Sequence, residues 1–118
     1  MATTVLIVDD HAPFRASARS LLESEGFKVV GEAADGGSAI EQTTSLGPDV
    51  ILLDVQLPDI DGFEVASRVT ERAGAPTVIL ISSRDGGDFG PLVEASGARG
   101  FVPKADLSGE SLRALLDG

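Results

Sequence analysis

The feature that most constrains this chain is the alternation of short apolar runs with stretches of helical periodicity. The runs at residues 5–8 and 50–53 are apolar throughout, which is typical of a strand covered on both faces. After the first run, Phe14, Ala18 and Leu22 recur at a spacing that places them on one helix face. Strands that alternate with helices predict a parallel sheet with helices on both faces, joined by right-handed crossovers. The expected fold class is therefore α/β, a doubly wound parallel sheet of five strands with five helices.

The same reasoning gives approximate positions for the elements. The predicted strands are residues 5–8, 27–31, 50–53, 77–81 and 100–102. The first helix is expected to end at Gly26, and the second to lie near residues 38–46. The third should place Val65, Ala66, Val69 and Ala73 on one face, and the last should begin at a Ser108 cap. The fourth helix is predicted to be short, because the segment before it is interrupted by Gly86, Gly87, Gly90 and Pro91.

Length and charge limit the classes of function. The 118 residues, 42% of them hydrophobic, suffice for one core but not two, so residues 1–118 are interpreted as a single domain. A formal net charge of −10 disfavours binding to nucleic-acid phosphates or to anionic membranes. The absence of cysteine excludes disulfides and thiolate metal sites. The first residues contain neither a basic segment nor an apolar run long enough for a signal peptide or a membrane span, which favours a cytoplasmic protein.

Chemically active side chains follow several of the predicted strands. Asp9 and Asp10 end the first strand, Asp54 the third and Ser82 the fourth, while Lys104 comes just after the fifth. In a doubly wound sheet the ligand crevice lies at this carboxyl edge. Three neighbouring carboxylates repel one another, and either raised pKa values or a bound cation relieves the repulsion; an all-oxygen site with open positions suits Mg²⁺. Because an aspartate is also a competent nucleophile toward phosphoryl groups, the set predicts Mg²⁺-assisted phosphoryl transfer to Asp54.

Each of these residues also has an ordinary structural alternative. Paired acids after a strand often only cap a helix, and a lone serine or lysine is usually a loop residue or a solvated charge. His11 has no second histidine or cysteine nearby and is interpreted as a helix-start residue. The placement of the candidates at the ends of different parallel strands favours a shared site, because independent caps and surface charges would not require it.

Four segments, taken together, resemble the receiver domain of two-component response regulators. They are VLIVDD, PDVILLDVQLPDIDGFEVA, VILISS and GFVPK, in this order, and the resemblance covers essentially the whole chain. It implies a flavodoxin-like fold and a signalling domain rather than an enzyme with turnover. It also implies a sensor histidine kinase or phosphotransfer protein as phosphoryl donor, and an output face that switches after transfer.

The resemblance further implies a role for individual residues. Asp54 would accept the phosphoryl group. Asp10 would ligate Mg²⁺ directly, Asp9 would contact the ion through a water molecule, and the Gln56 backbone carbonyl would complete the metal site. Ser82 corresponds to the hydroxyl residue that binds a phosphoryl oxygen, and Lys104 to the cation that pairs with the phosphoryl group. Phe101 corresponds to the aromatic switch residue. Two side chains would border the path of the hydrolytic water and tune the phosphoryl lifetime: Gln56 and Arg84. The hypothesis for Arg84 is that it covers the phosphoryl group or pairs with a nearby acid and slows hydrolysis; the alternative, a solvent-facing arginine without such an effect, stays open.

Two features depart from the common pattern of that family. Ala105 follows Lys104 where many receivers have proline, which predicts a trans peptide bond at this position. The short fourth helix leaves the output mode less defined. The segments VDDHAPFR, VVGEAADG and GFVPKADLS resemble receivers that precede LuxR-type output domains. No such domain follows Gly118, so a stand-alone receiver and a part of a longer regulator both stay open, as does homodimerisation on phosphorylation.

Two other classes of function compete with this interpretation. A phosphatase of the haloacid-dehalogenase type also uses a strand-end aspartate and Mg²⁺, but it needs a second acid two residues later, where this chain has Gln56. A binding scaffold of the same fold would signal by contact alone and need not respond to Mg²⁺. The presence of every expected site residue counts against the scaffold.

Overall fold

The computed structural model describes residues 2–83 and 89–117, in which strands and helices alternate along the chain. In chain order the elements are β1 (Thr4–Val8), α1 (Ala12–Ser24), β2 (Lys28–Ala33), α2 (Gly36–Leu46), β3 (Val50–Asp54), α3 (Gly62–Thr70), β4 (Thr77–Ser82), α4 (Gly90–Ala95), β5 (Gly100–Pro103) and α5 (Gly109–Asp117). The strands pair in parallel in the order β2-β1-β3-β4-β5. The chain therefore winds to one side of β1 and then to the other, which confirms the predicted doubly wound α/β fold.

The core consists of two apolar layers, one on each face of the sheet. Val5 and Ile7 of β1 belong to the layer that includes Leu22 of α1. Leu6 and Val8 belong to the layer on the other face, beneath α2 and α3. Successive strand residues point to opposite faces, so a strand between two closed layers needs an apolar side chain at every position. This requirement explains the continuous apolar runs in the sequence.

Side chains cap the amino termini of α2, α3 and α5. In each helix a side-chain oxygen accepts a hydrogen bond from a backbone N–H of the first turn, which satisfies a donor that has no partner within the helix. The prediction of a Ser108 cap is confirmed. His11 stands at the N-cap of α1 without a side-chain cap, as expected for a helix-start residue. The capping pairs are Asp35 with Ser38 (2.7 Å), Asp61 with Glu64 (2.9 Å) and Ser108 with Ser111 (3.0 Å).

The second strand extends further than predicted. Gly31 suggested its end, but β2 continues to Ala33, with a register shift where it pairs with Val5 and Leu6 of β1. Gly31 is instead a point of close packing against α2. A Cβ at this position would lie 2.7 Å from Gln42 Oε1.

The third helix is shorter than predicted. Ala73 was expected on its buried face, but α3 ends at Thr70 and Ala73 is exposed in the following loop. Gly74, with φ +73°, and Pro76 occupy that loop, and neither residue favours continuation of a helix. The spacing of Ala73 was compatible with the helix, but this loop ends the helix before that residue.

The fourth helix is short, as predicted. It has six residues and buries no side chain completely. The longest described helix, α1, has 13 residues, and no helix within residues 2–83 and 89–117 has the length and apolar character needed to cross a membrane.

Candidate functional site

The carboxyl edge of the sheet brings together side chains from three strands. Asp9 follows β1, Asp54 is the last residue of β3, and Lys104 begins a short 3₁₀ turn directly after β5. The Lys104 Nζ atom lies 2.6 Å from Asp9 Oδ2 and 3.2 Å from Asp54 Oδ2. The ammonium therefore bridges two carboxylates that are more than forty residues apart in the chain, as the strand ends predicted.

Asp10 joins these two carboxylates to form an acidic cluster. Asp9, Asp10 and Asp54 each offer a carboxylate oxygen, and these atoms all lie within 4.8 Å of one another. Asp9 is completely buried, Asp54 nearly so, and Asp10 is exposed. Carboxylates at this separation with one side open to solvent match the oxygen ligands and open positions that Mg²⁺ prefers.

Asp9 provides a direct test of whether a cation fits this cluster. Its Oδ1 accepts a hydrogen bond from the backbone N–H of His11 at 2.8 Å. Its Oδ2 is buried and, among the described residues, receives no hydrogen bond of ordinary geometry, although the Lys104 ammonium is close enough to form an ion pair. A buried carboxylate oxygen in this condition has the capacity to bind a cation. The residues present thus fit a hard divalent ion.

Two described neighbours donate hydrogen bonds to the Asp54 carboxylate, one at each oxygen. The backbone N–H of Gln56 donates to Oδ1 at 3.0 Å, and Lys104 Nζ donates to Oδ2 at 3.2 Å. Burial raises the pKa of Asp54 above its usual range, and the charge of Asp9 raises it further, against the opposing effects of Gln56 and Lys104. A carboxylate that is oriented yet poorly stabilised as an anion is well suited to act as a nucleophile.

Lys104 remains a cation in this environment. Burial by itself lowers the pKa of its ammonium, but the close approach of the Asp9 carboxylate and the charge of Asp54 outweigh burial and raise the pKa above its usual value. The predicted trans peptide bond between Lys104 and Ala105 is confirmed.

Phe14 forms a further contact with Lys104 that sequence reasoning missed. The ammonium lies 4.4 Å from the centroid of the Phe14 ring. The helical pattern identified Phe14 only as a core residue of α1, and its ring does pack partly against the apolar layer beneath that helix. The available signal was its position in the first turn after Asp9 and Asp10, close to the same sheet edge.

Ser82 and Phe101 occupy the strands between Asp54 and Lys104. Asp54 pairs in register with Ile81, so Ser82 lies one residue beyond it at the end of β4, where it is completely buried. Ser82 in turn pairs with Pro103, the neighbour of Lys104. The structure therefore places this hydroxyl at the same edge as the ion pair.

Phe101 is half-buried in β5 and forms part of a row of three aromatic rings. Its centroid is 5.7 Å from that of Phe89, which is 5.6 Å from that of Phe63 in α3. The row connects β5 to α3 through the start of α4.

The loop from β3 to α3 carries Gln56. It is closed at its base by the hydrogen bond from Gly62 N–H to the Val55 carbonyl at 2.9 Å. Its tip is fastened to α2 by Asp59, which accepts from the backbone N–H groups of Gly36 at 2.8 Å and Gly37 at 2.9 Å. The Gln56 side chain is exposed at the mouth of the site. Sequence reasoning missed Asp59, because nothing in a single sequence pairs it with a helix start more than twenty residues earlier.

Arg84 lies outside the described residues, so its effect on phosphoryl lifetime stays a prediction.

Comparisons with known proteins agree on one family. The sequence model of the response regulator receiver domain matches residues 5–116. The chain is 38% identical, over 93% of its length, to a putative transcriptional regulator of Pseudomonas aeruginosa, and 31% identical, over 86% of its length, to the DNA-binding transcriptional activator EvgA of Escherichia coli K12. It spans about half of each relative, 53% and 50% of their lengths.

Solved structures give the same result. The signal receiver domain of the putative response regulator NarL from Mycobacterium tuberculosis superposes with a TM-score of 0.87 at 37% identity, covering 98% of this chain and 94% of that one. A two-component response regulator of the LuxR family from Aurantimonas superposes with a TM-score of 0.88 at 30% identity, covering 99% of this chain and 84% of that one.

Proposed function

This chain belongs to the response regulator receiver family, the signalling domain of two-component systems, and from that premise we propose that Asp54 is its phosphoryl acceptor. The observation that carries the proposal is the bridge formed by the Lys104 ammonium between Asp54 and Asp9, at 3.2 and 2.6 Å. It supports a nucleophile with a cation beside it, positioned at the edge where a donor can approach. Asp54 also stands at the end of a completely buried strand, which holds its carboxylate in place.

In the proposed reaction, an Asp54 carboxylate oxygen attacks the phosphorus atom of a phosphohistidine in line with the P–N bond. The O–P bond forms as the P–N bond breaks, and the donor imidazole leaves with the electron pair and takes up a proton. Phosphoryl transfer requires mainly positioning and charge stabilisation. Lys104 supplies a cation for the transferring oxygens, and the Gln56 N–H keeps the acceptor carboxylate oriented.

The acidic cluster is proposed as the site for Mg²⁺. Asp9, Asp10, Asp54 and the Gln56 backbone carbonyl would hold the ion, with Asp9 acting through water. The chemistry that bound Mg²⁺ supplies is neutralisation of the charge on the phosphoryl oxygens. Support comes from the separation of the three carboxylates and from the buried Asp9 Oδ2.

The response to phosphorylation is proposed to run through β4 and β5. A phosphoryl group on Asp54 adds charge and acceptor oxygens, to which Lys104 and Ser82 donate. Movement of Ser82 toward the phosphoryl group frees space for Phe101, whose ring contacts that of Phe89. The unphosphorylated protein should populate the active arrangement to a small extent, because phosphorylation shifts an existing equilibrium.

The proposed partners are a sensor histidine kinase or phosphotransfer protein as donor, and an output domain or protein that recognises the switched face. The proposed location is the cytoplasm, where such kinases present their phosphohistidine. Residues 1–118 are proposed to form one receiver domain without direct binding to nucleic acid, because the formal charge of −10 repels phosphates. Turnover of an external phosphate ester is not proposed, since Gln56 stands where a phosphatase would carry a second acid.

The proposed function is tested by intact-protein mass spectrometry. Wild type and Asp54→Asn are incubated with acetyl phosphate, a small acyl-phosphate donor, with and without Mg²⁺. The expected result is the gain of one phosphoryl group that requires Mg²⁺ and is absent in the variant. Equal masses before and after incubation of wild type would overturn the proposal and favour a scaffold that signals by contact.

A further inference from the structure

The Phe14 ring forms one wall around the Lys104 ammonium. Among the described residues, the carboxylates of Asp9 and Asp54 also lie close to the ammonium, and only 19% of the Lys104 side chain is exposed. A cation within about 6 Å of a ring centroid is attracted by the negative face of the ring, and more strongly where water is partly excluded. The distance of 4.4 Å meets this condition.

The position of the ring is fixed independently of Lys104. Phe14 packs partly against the apolar layer beneath α1, and Pro13 precedes it in the first turn of that helix. The next residue, Arg15, donates from Nη1 to the carbonyl oxygen of Asp9 at 2.5 Å, which ties this turn to the end of β1. Packing and this hydrogen bond therefore fix the position of the Phe14 ring, whereas the Lys104 side chain has a flexible four-carbon stem.

We propose that Phe14 is a positioning residue for phosphoryl transfer, which holds the Lys104 ammonium at the two carboxylates and keeps it ordered for the incoming group. This proposal rests on the proposed role of Asp54 as acceptor. A cation that is already in place when charge develops needs no reorganisation during the reaction. Without the ring face, the ammonium can exchange its position at the site for full hydration.

The first measurement is the rate of phosphoryl uptake from acetyl phosphate at saturating Mg²⁺. Phe14→Leu keeps an apolar side chain but removes the ring face, whereas Phe14→Tyr keeps the face. We expect Phe14→Leu to take up the phosphoryl group about two- to fivefold more slowly than wild type. Phe14→Tyr should retain the wild-type rate. Phe27→Leu is the control, because Phe27 directly precedes β2, at the amino ends of the strands, and lies under the Arg113 guanidinium. The uptake rate of this variant should equal that of wild type.

The second measurement does not depend on phosphorylation. Protons on the Lys104 ε carbon over a ring face experience a ring current, which moves their NMR signals upfield. Wild type and Phe14→Tyr should show this shift and Phe14→Leu should lose it, with the signal assigned by comparison with Lys104→Arg.

Several outcomes would overturn the proposal. If Phe14→Leu loses the shift yet keeps the wild-type rate, the contact exists but does not position Lys104 for transfer. If Phe14→Tyr is as slow as Phe14→Leu, the loss reflects packing rather than the ring face. If wild type itself takes up no phosphoryl group, the role of Asp54 fails and this proposal fails with it. The ring-current shift then still shows whether the ring holds the ammonium.

Discussion

Asp54 carries its charge in a nearly buried position beside a second buried carboxylate, that of Asp9. Burial and this neighbour together raise the pKa of Asp54. An acid whose pKa is higher in the folded state contributes stability below its ordinary value near 3.8, and loses that contribution as the pH rises through the raised pKa. At neutral pH the ionised Asp54 therefore opposes folding.

The first prediction is that Asp54→Asn stabilises the protein at neutral pH in the absence of Mg²⁺. The change removes a buried charge but leaves the pairing of Lys104 with Asp9. The gain should fade as the pH falls through the raised pKa of Asp54, because the wild-type side chain then takes up a proton. Thermal unfolding followed by circular dichroism in EDTA at pH 7 and pH 4 measures both points. A variant that melts below wild type at pH 7 would contradict the prediction.

The site residues differ in how far the sequence could reveal them. Asp9, Asp54, Ser82 and Lys104 were predictable because each stands at the carboxyl end of a strand, and strand ends converge by topology. Phe14 was not, because its contact with Lys104 depends on how α1 lies over the sheet edge. The spacing of apolar residues in a single sequence shows which side of a helix is buried. It does not show where the first turn of that helix lies relative to the ends of the strands.

Among the elements, the loop between β3 and α3 is fixed by hydrogen bonds at both its base and its tip. The Asp59 carboxylate accepts three backbone N–H groups, two from the first turn of α2 and one from Ile60. The hydrogen bonds from Gly36 and Gly37, and then that from Ile60, hold the pKa of Asp59 below its usual value. An acid with a lowered pKa contributes stability above its ordinary value and loses it as the pH falls through the lowered pKa.

The second prediction is that Asp59→Ala lowers the melting temperature by a few degrees at neutral pH, because three backbone donors lose their acceptor. The difference from wild type should shrink as the pH falls through the lowered pKa of Asp59, and its sign is opposite to that of Asp54→Asn, because Asp59→Ala destabilises at neutral pH. Thermal unfolding across pH 3 to 7 measures it. Asp106→Ala removes an exposed aspartate elsewhere and serves as the control. If the difference in melting temperature between Asp59→Ala and wild type does not change with pH, the ionised carboxylate is not the group that stabilises the loop.

The third prediction concerns the start of α3. A Cβ on Gly62 would lie 2.3 Å from the backbone oxygen of Asp54, so either β3 or the helix would have to move. Gly62→Ala should cost about 2–3 kcal/mol in the free energy of unfolding and also slow phosphoryl uptake, because Asp54 moves with its backbone. Urea unfolding gives the first quantity. Gly90→Ala is the control, since a Cβ there meets nothing within 4 Å. Equal midpoints for the two variants would contradict the prediction.

The elements themselves were largely predictable, and their ends less so. Continuous or nearly continuous apolar runs identified β1, β3 and β4, which are covered on both faces, whereas β2 and β5 were placed from shorter stretches that include Lys28 and Gly100. The end of α3 was wrong because Ala73 fits the helical period, and spacing alone could not show that the loop before Pro76 ends the helix earlier. The extent of β2 was wrong for a related reason, since Gly31 serves close packing with α2 rather than a turn.

At the scale of the whole molecule, the excess of negative charge and the acidic cluster lead us to expect that cations increase the stability of the fold. Sodium ions screen charges everywhere, whereas Mg²⁺ bound only by the folded cluster stabilises by mass action. The two effects can be separated, because only the second depends on particular carboxylates.

The fourth prediction is that the melting temperature rises with the logarithm of the Mg²⁺ concentration. At one hundred times the dissociation constant, bound Mg²⁺ should add about 2.7 kcal/mol to the free energy of unfolding. NaCl at the same ionic strength should produce a smaller change. Asp10→Asn, an exposed position, should lose most of the Mg²⁺ response, whereas Asp106→Asn should keep it. A wild-type response to Mg²⁺ that NaCl reproduces in full would exclude specific binding.

The strand order has a consequence for how copies of this chain can meet. A parallel sheet has two open edges, here β2 and β5, and an open edge offers unpaired backbone groups onto which another chain can polymerise. β5 has only four residues and ends in Pro103, which has no N–H to donate, and β2 pairs irregularly with its neighbour. Both edges are therefore poor templates for amyloid-like growth. Crowded molecules should therefore not join through the edges of their sheets, and any association between copies is expected to use the helical faces instead.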